Sequence, residues 1–192
     1  MPALRSPEDL LAVELKGIRS AEQQLSRVLP RLMKKTSSDR LKEMLEQRRE
    51  QGAELMDEID EALEELQLSK GRAKNLAAEG LIEDINMHLE EADDERLADP
   101  LLIGAMQKVE HYCIAAWGTA KALGTLLERE GVVRTMERVL EEGKAFDQEM
   151  TKLAEEEVNP RMLEDGEAEE KEGEESSSSG SRTGKRRAKS RR

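Results

Sequence analysis

Aromatic residues are nearly absent from this sequence: Tyr112, Trp117 and Phe146 are the whole set, 2% of 192 residues. Strands draw on aromatic and β-branched side chains, so a β-sandwich or barrel is excluded. There is one cysteine, Cys113, which cannot form an intrachain disulfide and fits a reducing compartment. Long apolar runs are missing too. The apolar runs are short, such as residues 101–106 (LLIGAM), far below the ~20 needed to span a bilayer. No apolar export signal follows Met1. The expected setting is therefore the cytoplasm, with no membrane association. Phosphate loops, paired-cysteine metal motifs and Gly-x-Ser-x-Gly elbows are also absent.

What is present is charge. Asp, Glu, Lys and Arg make up 39% of the chain, and 43 acids against 31 bases give a net charge of −12. Such a composition suits a helical protein or a partly disordered acidic one.

The C-terminal end separates first. From 164 to 192 the only apolar residues are Ala168 and Ala188, too few to offset the entropy of ordering. Residues 164–175 (EDGEAEEKEGEE) are acidic, and residues 176–192 (SSSSGSRTGKRRAKSRR) are basic. The reading is a bundle over 1–160 and a disordered, acidic-then-basic tail over 161–192. Charges nearly balance within the tail, so the excess of acid lies in 1–160. The tail reads either as a solubilising extension or as a contact for nucleic acid or an anionic surface through 182–192. No aromatic residue is interleaved there to stack on bases.

Residues 1–160 repeat apolar positions with a period of 3.5 to 3.6. The first stripe is Leu11, Leu15, Ile18, Glu22, Leu25, Leu29, Leu32, entered by Ser6-Pro7 as N-cap and first helical residue. The second is Leu41, Leu45, Arg48, Gly52, Leu55, Ile59, Ala62, Leu66, following Ser37-Ser38-Asp39. Gly71, Asn75 and Gly80 then break the pattern. A shorter amphipathic piece carries Leu81, Ile82, Ile85 and Leu89. The third stripe follows Pro100: Leu102, Met106, Val109, Cys113, Ala116, Ala120, Leu123, Leu127, with Gly131 ending it. The fourth is Met136, Leu140, Gly143, Asp147, Met150, Ala154, closed by Asn159-Pro160. Four long helices with a connection of about thirty residues between the second and third predict an all-α, ferritin-like four-helix bundle with one long crossover.

Each stripe is interrupted near its middle: Glu22; Arg48 with Gln51; Glu110 with Cys113; Gly143 with Asp147. Midpoints meet in an antiparallel bundle, so these residues are expected in one core layer. Buried carboxylates need cations. Glu22 on a solvated bundle edge and Cys113 as an ordinary buried hydrophobe are the plainer alternatives. His88 and His111 lack metal-ligand spacing and read as surface or packing residues.

The segments 21–25 (AEQQL), 29–32 (LPRL), 78–82 (AEGLI) and 107–120 (QKVEHYCIAAWGTA) resemble the YciE/YciF ferritin-like family over about residues 8–157. That family is associated with bacterial stress responses and is labelled ferroxidase by fold. The resemblance implies a di-metal layer with Glu in the first helix and His then Glu in the second. The third helix would carry a Glu-His-Tyr-Glu run, and the fourth a Glu four residues before an Asp. Glu22, Glu110 and Asp147 match and are the candidate metal ligands. Arg48 stands for the His, Gln51 for the Glu, Cys113 for the second Glu of the third helix and Gly143 for that of the fourth. A di-iron site takes about six ligands, so the implied function is a stress-related bundle with a degenerate metal site. It would carry no catalytic residues and no resident cofactor, and Arg48 would pair with Glu22 and Glu110 in place of metal. The alternatives are an iron- or manganese-binding ferroxidase-type protein, with Cys113 or His111 as further ligands, and a nucleic-acid tether through the tail. A homodimer is the candidate assembly.

Overall fold

The computed structural model describes residues 4–71 and 73–163. Five α-helices make it up: α1 (Pro7–Leu32), α2 (Asp39–Glu65), α3 (Leu76–Glu91), α4 (Ala98–Leu126) and α5 (Glu130–Leu153). Most starts have a written cause. Ser6 caps α1 by accepting from the Asp9 N–H while the Asp9 carboxylate accepts from the Ser6 N–H, a closed capping box with Pro7 at the first position. Ser38 caps α2 and Asn75 caps α3.

Helices α1, α2, α5 and α4 pack in that order around a ring, and α3 lies across α1 and α4. Short turns join α1 to α2 and α4 to α5, so each hairpin is antiparallel. The start of α4 lies beside the α1–α2 turn, where the Asp99 carboxylate accepts from the N–H groups of Ser37 and Ser38 and from the Ser37 hydroxyl (2.8–3.1 Å). Arg40, in the first turn of α2, pairs with Glu149 near the end of α5 and with Glu157 just beyond it. Neighbours around the ring are therefore antiparallel, and the α3 segment is the crossover that returns the chain along the bundle.

One residue pins that crossover. Asn75 donates through Nδ2 to the Gly17 carbonyl (2.9 Å) and to the Tyr112 hydroxyl (2.6 Å). Its Oδ1 accepts from the Ala78 N–H, and its own N–H donates to Ser20 Oγ. Each polar group of a buried side chain is thus met.

Several sequence-based boundaries shift. Gly80 sits inside α3. Pro100 lies in the first turn of α4, where a missing N–H costs nothing. Gly131 belongs to the first turn of α5, and the chain reverses over 127–129 with Glu128 at φ 56°. Asn159-Pro160 does not close the last helix. A π-turn over Ala154–Val158, with the Asn159 N–H donating to the Ala154 carbonyl, carries helical backbone on to 163. The wider turn accommodates the donor that Pro160 lacks. Residues 164–192, and with them the tail and its basic segment 182–192, lie outside the described residues. Among the described residues, no helix is long and apolar enough to cross a membrane.

A buried charged layer at mid-bundle

All four bundle helices contribute to one layer: Glu22 from α1, Arg48 and Gly52 from α2, Glu110, Cys113 and Trp117 from α4, and Gly143 from α5. Glu22, Arg48 and Glu110 are 1%, 2% and 0% exposed. The Arg48 guanidinium lies between the two carboxylates. Its Nη1 and Nη2 donate to Glu22 Oε2 and Oε1, both at 2.9 Å, and its Nε donates to Glu110 Oε2 at 2.7 Å. The planar fork of Arg matches one carboxylate bidentately while the third donor reaches the other, which Lys cannot do. Nη2 also lies 3.8 Å from Cys113 Sγ, and Cζ stacks 5.5 Å from the centroid of the Trp117 ring.

The two glycines are spacers for this layer. A Cβ on Gly52 would lie 2.6 Å from Glu22 Oε2 and 3.2 Å from Arg48 Nη1. A Cβ on Gly143 would lie 2.5 Å from Glu110 Oε1 and 2.6 Å from Trp117 Cζ3. The volume a longer side chain would take at 143 is filled by the indole.

The layer carries two acids and one base. Glu22 takes one donor from each terminal nitrogen of Arg48, while Glu110 takes the Nε donor alone. Glu110 Oε1, buried against Gly143 and Trp117, has no hydrogen-bond partner among the described residues, and neither has Trp117 Nε1. Burial pushes the Glu110 carboxyl above the usual range, with Arg48 opposing. Arg48 stays charged: its carboxylate partners outweigh its burial and hold its pKa well above the ordinary value. Burial pushes the Cys113 thiol up, so it is a neutral thiol.

The other sequence-derived site residues fall elsewhere. Asp147 does not join the layer. One turn beyond Gly143, it is rotated to the α4–α5 edge, where it accepts from Gln107 Nε2 (3.1 Å) and faces His111 Nε2 (3.3 Å). His111 is 67% exposed in its side chain. His88 sits on the surface of α3 between Asp84 and Glu91. Gln51 is half-buried, at the rim of a cavity of about 10 Å³ that also touches Arg48, Glu110 and Trp117. Trp117 is the member that the stripe pattern passes over in favour of Ala116. Its signal is its spacing, four residues after Cys113 and seven after Glu110, on one helical face. Among the described residues, no group of three or more His, Cys, Asp or Glu side chains is arranged to hold a metal ion.

The comparisons agree with this architecture. Protein YciF of Escherichia coli (strain K12) is 36% identical over 159 residues, covering 82% of this chain and 96% of its own. The crystal structure of that stress protein superposes with a TM-score of 0.76 at 36% identity, over 81% of this chain and 99% of YciF. YcfI of Rhodopseudomonas palustris, described with a proposed structural role, superposes with a TM-score of 0.73 at 28% identity, over 77% and 94% of the two chains. The family model described as Domain of unknown function (DUF892) matches residues 6–163. The helical bundle with its buried charged layer thus belongs to the DUF892 family, that of YciF and of the YciE/YciF resemblance noted in the sequence.

Proposed function

We propose that this protein is a non-catalytic, structural member of its stress-protein family. In it, a fixed ion triad stands where the resemblance implies a di-metal centre. The observation that carries this reading is the position of Arg48, within hydrogen-bond distance of Glu22 and Glu110 at once. A di-metal centre needs cations between carboxylates, and here the cation is covalently part of the chain. The remaining donors do not fit two metals. They are two carboxylates already engaged by Arg48 and a neutral thiol, with Asp147 turned to the helix edge. The place of a fourth-helix carboxylate is filled by the Trp117 ring beside Gly143. No redox or oxygen chemistry is assigned to the site.

A buried ion pair of this kind adds little net stability against apolar residues of equal volume. Its use is specificity. Arg48 is satisfied only when α1, α2 and α4 meet in this register, so it selects one packing of four similar stripes.

The test is elemental analysis of protein purified without chelators, together with oxygen-dependent Fe(II) oxidation. The expected result is iron and manganese far below one atom per chain and oxidation at the buffer rate. Stoichiometric metal that is lost on Glu22→Gln or Glu110→Gln overturns the reading. An Arg48→His, Gly143→Glu pair is not by itself a restoration. The side chain introduced at position 143 would collide with Trp117, so the ring must be cut back by Trp117→Ala in the same protein.

A further inference from the structure

We propose that the outer face of α1 is a docking surface for an acidic segment of this same chain, residues 164–175. Although the chain carries a net charge of −12, this face is basic. Between residues 15 and 38 the basic residues are Lys16, Arg19, Arg27, Arg31, Lys34 and Lys35. The one acid is Glu22, and it is buried against Arg48. Lys16, Arg27 and Arg31 fall on one line along the helix, within about 60° at 100° per residue, and Lys34 and Lys35 follow in the turn at its end. Their side chains are exposed, that of Lys16 partly.

The connection after α2 adds to the patch. Among its described residues, the connection over 66–75 holds Lys70 and Lys74 and no acid. Gly71, with φ 59°, lies against the Lys16 stem, and Lys16, Ser20, Gln23, Arg27 and Lys70 line a cleft of about 400 Å³. Asp60 takes Arg19 and Lys70, Glu79 takes Lys74, and Glu79 and Glu83 of α3 share a cavity with Arg27 and Arg31 without pairing with them. Arg31 donates to the neutral amide of Asn86. Among the described residues, Lys16, Arg27, Lys34 and Lys35 have no carboxylate partner.

The occupant is identified by charge, position and length. Segment 164–175 carries eight acids and one lysine. The described chain ends at Leu163, and Arg161 and Met162 share a cavity of about 280 Å³ with Ser37 and Ser38. Those serines closely follow Lys34-Lys35, so the last described residues before the acidic segment lie near the basic end of α1. From Leu32 back to Lys16 the helix rises about 24 Å, and twelve residues can reach about 40 Å. Tethering supplies a millimolar effective concentration, enough for a weak electrostatic contact to be occupied.

Carbodiimide cross-linking of the full chain tests this. It joins Lys to Asp or Glu at contact distance, and peptide mapping on an equal mixture of light and ¹⁵N-labelled chain separates intramolecular from intermolecular links. The expected result is intramolecular links from 164–175 to Lys16, Lys34 or Lys35 at low salt, suppressed in about 0.5 M salt. Arg27→Gln with Arg31→Gln, which removes charge without removing any linkable lysine, should lower their yield about five-fold. Circular dichroism and the Trp117 emission should stay unchanged. Links confined to Lys185 and Lys189, links between chains, or no link to Lys16, Lys34 or Lys35 would each overturn the proposal. So would a yield unaffected by the arginine changes.

Discussion

Replacing Arg48 by Met keeps most of the side-chain volume and removes the charge that Glu22 and Glu110 share. Two carboxyls at 1% and 0% exposure then face each other without a cation. Breaking a buried pair from one side costs about 3–5 kcal/mol. With an m-value of about 2 kcal/mol/M, the urea midpoint should fall by about 2 M. That is a large part of the roughly 5–15 kcal/mol typical of a domain. Trp117 stacks on Arg48 and is the sole tryptophan, so its emission reports the layer directly. The control is Glu22→Leu, Arg48→Met, Glu110→Leu together, which should recover to within about 1–2 kcal/mol of the parent, because no unpaired charge remains. The pH dependence carries the sign of the argument. In Arg48→Met the Glu110 carboxyl, already raised by burial, loses the cation that opposes the rise. The stability it contributes is present below the unfolded pKa, about 4.3, and is lost as pH rises through the folded value. The deficit against the parent should therefore be largest near neutral pH and shrink as the solution is acidified. A loss under about 1 kcal/mol, or a triple variant no more stable than the single one, refutes the assignment.

Gly143→Ala and Gly52→Ala should each destabilise by about 1–3 kcal/mol by overpacking the layer, despite the helix propensity of Ala. Gly118→Ala, where a Cβ meets nothing within 4 Å, should stabilise by up to about 1 kcal/mol. Urea melts of the three read the difference. Cys113 is buried and its thiol pKa raised, so a thiol reagent should label the native protein only at the rate of global unfolding and the urea-unfolded protein at once. Asn75→Ala removes the α3 cap and the links to Gly17 and Tyr112, and should cost about 1–2 kcal/mol. Amide exchange should rise in α3 before it rises in the other helices.

Much of the site can be read from the stripes because helical periodicity is local. Glu22, Arg48, Glu110, Cys113 and Gly143 each interrupt a core-facing line near its middle. Antiparallel packing of helices of similar length then puts those middles at one height. Asp147 misleads for the same local reason: one turn from Gly143 leaves about 40° of rotation, enough to leave the core for the α4–α5 edge. A period count cannot resolve that angle without the neighbouring helix. Gly80, Gly131 and Pro160 read as breakers in the sequence, yet packing and a π-turn absorb all three.

The sequence by itself determined the secondary structure, the crossover topology and the presence of a charged interruption in the core. Capping residues and apolar spacing act over a few residues of chain. Only the tertiary structure decided how the charges are shared. Arg48 gives two donors to Glu22 and one to Glu110, Trp117 fills the volume beside Gly143, and Asn75 ties α3 to both its neighbours. Those outcomes depend on distances between helices far apart in the chain. They are set by which side chains can fill a shared volume and satisfy each other's hydrogen bonds without water.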